Sequence, residues 1–255
     1  AYKQVISNYP GSEEAKIALQ DLKSVYIDLN DINAYASYVN SIGGNIRLEV
    51  GEQDSLTYIA AEKLFMRGDN DGARRSLAGY LQTFPEGAFS SNANFYLGSI
   101  AFAKKEFDEA IQRFKSVIAS GDTKFLEESV ARTAEIEYLS KDYPAALESF
   151  KRLQIVAENP ENRQAARLGI MRCALQTGQQ KDALLAADEL LKEPKLSPEL
   201  EAEARYVRAK AYIAQKQANK ALADLKELSK DTRTVHGAEA KYLLAQLYYL
   251  SLIHI

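Results

Sequence analysis

The chain has 255 residues, with 32 Lys and Arg against 35 Asp and Glu and 46% hydrophobic residues. That supplies a buried core without the cationic excess that phosphate neutralisation needs, which excludes wholesale disorder and disfavours a nucleic-acid partner. One cysteine, Cys173, and two histidines, His236 and His254, exclude a disulfide framework and a His-rich metal site.

Taken in chain order, Tyr2 to Pro10 reads as the end of a helix and Ser12 to Asn30 as a long helix, together a degenerate helical region over residues 1–42. The opening at Ala1, with no basic start and apolar targeting core, reads as an excerpt of a longer protein. The polar run Asn40-Ser41-Ile42-Gly43-Gly44-Asn45 breaks the pattern, and residues 43–53 read as a linker.

From residue 54 to 237 one unit repeats. Ala73, Ala110, Ala146, Ala183 and Ala221 recur at intervals of 37, 36, 37 and 38 residues. Twelve positions before them stand Ala61, Gly98, Ala134 and Ala209, with Met171 as the exception, and four positions after them Leu77, Phe114, Phe150, Ala187 and Leu225. Apolar residues at steps of three and four on both sides of a short polar turn describe a helical hairpin. Small residues belong where two helix backbones approach closely, because extra carbons there would overpack the contact by about 1–3 kcal/mol.

The boundaries are also written in the sequence. Asn159-Pro160-Glu161 and Ser197-Pro198-Glu199 each place a capping side chain before a first-turn proline, with an acid at the positive end of the helix dipole. Phe84-Pro85-Glu86-Gly87 separates two helices, and Asp142-Tyr143-Pro144 marks a turn inside a hairpin. Residues 238–255 read as an incomplete repeat, a first helix without its partner. Tyr242, Leu243, Leu244, Leu247, Tyr248, Leu250, Leu252 and Ile253 offer more apolar surface than one hairpin can cover, so this end is expected to self-associate or to be covered by further residues. The 14 residues from Tyr242 to Ile255 are too few to span a membrane and include Gln246 and Ser251.

Small residues at two fixed sites, large apolar residues between them and a proline after the second helix resemble the tetratricopeptide repeat. The best unit, Phe95 to Ile118, carries Leu97-Gly98, Ala101, Phe107, Ala110 and Phe114 in the family's positions. It departs from the pattern at Asn94, where a large aromatic usually stands, and in a longer period. The resemblance implies an all-α fold, a right-handed α-solenoid of hairpins whose first helices line an inner face where peptides bind. Tyr9-Pro10-Gly11 and Phe84-Pro85-Glu86 resemble the junctions of bacterial cell-envelope members of the family, such as the outer-membrane assembly lipoprotein and the Tol-Pal coordinator. That implies the periplasm or cell envelope, with the cytoplasm as the alternative.

Carried onto this chain, the inner face comprises Tyr58, Glu62 and Phe65, then Phe95, Ser99 and Phe102, then Ala131, Glu135 and Tyr138, then Leu168, Arg172 and Leu175, then Tyr206, Lys210 and Ile213. Tyr58, Phe95 and Tyr206 are expected to anchor a bound segment. Glu62 and Glu135 at one end and Arg172 and Lys210 at the other are expected to set its direction.

The expected function is therefore a non-catalytic scaffold for a protein or peptide, with no cofactor. A ligand-sensing arm of a larger regulatory protein is the alternative. A helical toroid enzyme is disfavoured by the short turns at Gly68, Lys105, Lys141, Gly178 and Lys216. No serine stands in Gly-x-Ser-x-Gly, and Gly43-Gly44 lacks the spacing of a phosphate-cradling loop. The carboxylate pairs Glu13-Glu14 and Glu127-Glu128 sit at helix starts, where they favour the dipole.

Overall fold

The computed structural model describes residues 1–43 and 47–253, and among these every regular element is a helix. Two compact units part between Phe125 and Leu126. The first holds α1 (Tyr2–Asn8), α2 (Glu13–Asp28), α3 (Ile32–Ile42), α4 (Val50–Met66), α5 (Asn70–Thr83), α6 (Ser90–Ala103) and α7 (Phe107–Ser120). The second holds α8 (Leu126–Leu139), α9 (Tyr143–Val156), α10 (Pro160–Gln176), α11 (Gln180–Leu191), α12 (Pro198–Ala214), α13 (Ala218–Leu228) and α14 (Val235–Ile253). Helices α4 to α13 pair into the five hairpins that the period describes, and α14 stands where a sixth first helix would begin.

The hairpin turns share one construction. The residue after each first helix's C-cap is left-handed: Gly68 (φ 82°), Lys105 (61°), Lys141 (62°), Gly178 (72°) and Lys216 (60°). Its N–H reaches the carbonyl three residues back and the next N–H the carbonyl five back, as from Lys105 to Phe102 and from Glu106 to Ala101, both 2.9 Å. This Schellman closure satisfies carbonyls that a helix end leaves open. The second donor is also the N-cap of the following helix, and Asp69 and Asp142 use their carboxylates to accept from Gly72 N–H (2.9 Å) and Ala145 N–H (3.3 Å). No residue in such a turn is spare, so the phase between paired helices is held constant.

That phase brings the small residues together. Ala73, Ala110, Ala146, Ala183 and Ala221 are fully buried, each 0% exposed. A Cβ on Gly98 would lie 2.9 Å from the Phe114 ring, so glycine is what lets α6 seat against α7.

In the first unit, α4 begins at Val50, so residues 50–53, read as part of a linker, are helical. In that added turn Glu52 accepts from Lys23 of α2 at 2.5 Å. Gly44 and Asn45 lie outside the described residues. Ile6, Ala18 and Leu22 form one small core of the N-terminal helices, and Ile32, Tyr35 and Val39 form another with Leu56 and Ala60 of α4. Further along, buried Asp54 accepts from the Tyr80 hydroxyl (2.5 Å) and Ala88 N–H (2.9 Å), and the Tyr80 oxygen accepts from Phe89 N–H (3.0 Å). Burial, then this bond to Asp54, raises the Tyr80 pKa. One carboxylate thus pins the α5–α6 connection and places Phe89.

In the second unit, buried Asp224 accepts from Arg205 (3.2 Å) and from the fork of Arg208 (both 2.7 Å), joining α12 to α13. On α14, Leu244 is buried and Leu243 and Leu247 pack on the α12–α13 core, while Tyr242 and Tyr249 are exposed. The end expected to be open is thus partly covered by the hairpin before it. The side chains of Leu250, Leu252 and Ile253, and His254 altogether, lie outside what is described.

A left-handed residue with a Cβ costs on the order of 1 kcal/mol that glycine avoids. Lys141→Gly is therefore expected to raise stability by about that amount and Gly178→Ala to lower it by as much. Urea midpoints of the two variants, shifted in opposite directions from the parent chain, check this.

Candidate functional site

The first-unit residues expected on the inner face come together, but as packing. Tyr58 is 2% exposed. Its ring stacks on Phe89, with centroids 4.4 Å apart and planes 3° from parallel, and its hydroxyl donates to Glu62 Oε1 at 2.6 Å. Tyr96 donates to the same oxygen at 3.0 Å, while Phe65 packs on Tyr96 (4.5 Å). Burial, then the bond to Glu62, raises the Tyr58 pKa. Tyr58 is therefore no exposed anchor, and Glu62 Oε1 is taken by two tyrosine hydroxyls inside the unit. Phe95 is half-buried against Phe125 (4.2 Å, 15°). Ser99 donates to Phe95 O (2.9 Å), and Phe102 packs near Phe107 (6.1 Å).

In the second unit Tyr206 is half-buried beneath His236 (4.9 Å, 28°), and Lys210, exposed, holds its Nζ 5.3 Å from the same tyrosine ring. Burial, then a hydrogen bond to Glu239, raises the Tyr206 pKa. His236 is thus half-buried against a ring. All three expected anchors are covered by one rule. A ring about thirty positions later, at or just before the start of the next hairpin's first helix, lies over each: Phe89 over Tyr58, Phe125 over Phe95, His236 over Tyr206.

The ring pair is missing from two hairpins, the fourth, which has Leu168 and Pro198 at these positions, and the third, where its absence has a visible result. In the third hairpin the covered position is Ala131 and the covering position is Asn162, so neither supplies a ring. There a cleft of about 350 Å³ opens between α8 and α10 above α9. Tyr138, Leu139, Phe150, Leu153 and Leu168 give it an apolar floor, and Gly169 admits the Phe150 ring where any Cβ would collide with it.

Charged groups line the same cleft. Arg132 Nε donates to Glu128 (2.8 Å) and its NH1 to Glu135 (2.9 Å). Arg172 grips Glu203 of α12 with Nε (2.6 Å) and NH2 (2.7 Å). Asn162 donates to Glu127 (2.7 Å), which also accepts the N–H groups of Glu158 (2.8 Å) and Asn159 (3.1 Å). Burial opposes ionisation of Glu127, but these donors outweigh it and hold its pKa below the usual carboxylate range. Of the expected inner-face residues, Glu135, Tyr138 and Arg172 therefore share one cavity, with Ala131 and Leu168. Because Arg172 is neutralised by Glu203, the expected basic end is not a free charge there.

Residues 60–123 match the sequence profile of a family described as tetratricopeptide repeat. That segment is similar to the tetratricopeptide repeat. No curated protein matches the chain. Among solved structures, YrrB, described as a TPR protein with an unusual peptide-binding site, superposes with a TM-score of 0.55 at 18% identity, over 73% of this chain and 91% of that one. MamA does so with 0.50 at 16%, over 72% and 94%. The C-terminal part of a TPR repeat-containing protein from Cytophaga hutchinsonii gives 0.50 at 15%, over 94% and 91%. At these identities the likeness is one of fold. The five tetratricopeptide-like hairpins are thus an observed architecture, and the cleft lies in two of them beyond the matched residues.

Tetratricopeptide register located Glu135, Tyr138 and Arg172 but missed Glu128, Arg132, Asn162 and Gly169. Glu128 and Arg132 sit one turn from the expected positions on α8, and the alanine at 131 was the signal that space would open beside them. Cys173 is buried, as its neighbours on a first helix imply, and burial pushes its thiol up to about 11 against the pull of Arg172.

Two outcomes follow for this region. Gly169→Ala is expected to destabilise by about 1–3 kcal/mol because the Phe150 ring has to move, whereas Gly79→Ala, with open space at its Cβ, is expected to gain about 0.5–1 kcal/mol as a helix-interior replacement. Thermal melts of both report it. A thiol reagent at pH 8 should label Cys173 rapidly in urea and hardly at all in the folded chain, since an unburied thiol ionises near pH 8.5.

Proposed function

We propose that this chain is a non-catalytic scaffold that holds a peptide segment of a partner protein in the α8–α10 cleft. The observation that carries the proposal is the lapse of the ring pair at Ala131 and Asn162, which leaves an apolar floor open beneath a charged rim. Small-ligand sites combine such a floor with a few placed polar groups. At about 350 Å³ the cleft suits one or two side chains of a longer segment, with rim groups left to meet its backbone and neighbours. The description of YrrB as having a peptide-binding site supports a peptide as the ligand class.

We place the scaffold in the bacterial cell envelope on the strength of the junctions Tyr9-Pro10 and Phe84-Pro85, with the cytoplasm as the alternative. Fractionation of cells expressing the full-length protein distinguishes the two.

The binding proposal is tested by selecting displayed twelve-residue peptides against the whole chain and comparing two bulky variants. Ala165→Trp fills the cleft mouth, while Gln154→Trp puts the same bulk on an exposed position of α9. Selected peptides should lose at least tenfold in affinity to the first and keep it with the second, with helicity unchanged in both. Peptides that bind Ala165→Trp as well as the parent would place recognition elsewhere.

A further inference from the structure

The cleft's charges are unequally available, and this deepens the reading above, on which it rests. Two guanidinium groups and three carboxylates stand in or beside it: Arg132 and Arg172 against Glu128, Glu135 and Glu203. Both cations are engaged. Arg132 spans Glu128 and Glu135, and Arg172 delivers its fork to Glu203, whose side chain is only 19% exposed.

The carboxylates outnumber the guanidinium groups, and the two on α8 are the most exposed of the five. Glu128 and Glu135 each give one oxygen to Arg132, and their side chains remain 41% and 46% exposed. An ionised carboxylate offers about four acceptor sites over its two oxygens, so most of that capacity is left over at two residues that line the cleft. The Tyr138 ring lies beside Phe150 (6.4 Å), and both line the cleft with these acids and Arg172. An acidic segment could use the N–H donors that Arg132 and Arg172 leave open, but it would meet three carboxylates against two guanidinium groups, and that balance of charge opposes it. A basic one adds to Glu128 and Glu135 without breaking either pair.

We propose that the segment taken by this cleft is apolar and basic together: one aliphatic or aromatic side chain on the Tyr138–Phe150–Leu168 floor, flanked by Lys or Arg that meets Glu128 and Glu135. Rim pairs of this exposure contribute roughly 0.2–1 kcal/mol each, so two of them amount to about a two- to thirtyfold preference, screened by salt.

The test uses the full chain and three synthetic nonapeptides in a Gly/Ser background, each with one central Leu and flanked on both sides by Lys, by Glu or by Ser. Fluorescence polarisation at low salt should rank Lys above Ser above Glu, and the ranking should compress in 0.5 M NaCl. The double variant Glu128→Gln/Glu135→Gln, which leaves Arg132 without its carboxylates, should lose or reverse the ranking while keeping its helicity.

Equal affinities, or tighter binding of the Glu-flanked peptide, overturn the charge inference and leave the apolar peptide site standing. A Lys preference that survives in the double variant also overturns it, because other acids would then be responsible. If none of the peptides binds and Ala165→Trp leaves the selected peptides unaffected, the cleft is not the site and both readings fail.

Discussion

The stacked rings of Tyr58 and Phe89 show what each hairpin asks of the next. A helical hairpin has an apolar stripe it cannot bury alone, so a neighbour has to cover it. Here the cover is supplied by a residue at the entry to the following first helix. Phe89 is placed for that task by Asp54 and Tyr80, which lock the connection before it. An aromatic pair adds about 0.5–1.5 kcal/mol beyond the area it buries, so the recurrence of this arrangement at Phe95–Phe125 and Tyr206–His236 is a repeated contribution to cohesion.

Much of the fold was legible because it is set by spacing. The alanines at 73, 110, 146, 183 and 221 fall at one phase of the hairpin, and the turn closure keeps that phase whether glycine or lysine occupies its left-handed position. Proline with Asn159 or Ser197 before it marked helix starts that the structure shows with those side chains as caps. The start of α4 was less legible, because Val50-Gly51 carries no strong helix signal and its contact to Lys23 comes from far back in the chain.

The site was harder to read for a related reason. Register says which residues project inward from a first helix, but it does not say what will lie on top of them. Tyr58, Phe95 and Tyr206 are covered by residues far along the chain. Conversely Ala131, the least conspicuous member of its set, marks where the interior opens. The cleft is legible only when two positions about thirty residues apart are read together, one to be covered and one to cover.

Gly169 shows how that opening relates to the strength of the array. By accepting Phe150 against its bare backbone, it keeps the floor of the cleft tied to the hairpin below, while the layer above lacks the ring pair found in other hairpins. In a linear array stability is a chain of nearest-neighbour couplings, and a side chain lodged at Ala131 would supply the one coupling element this junction lacks. A ligand there would act as a removable piece of core. Its occupancy would then lengthen the stretch of hairpins that open and close as one, so that binding would be felt as a gain in cooperativity beyond the residues touched.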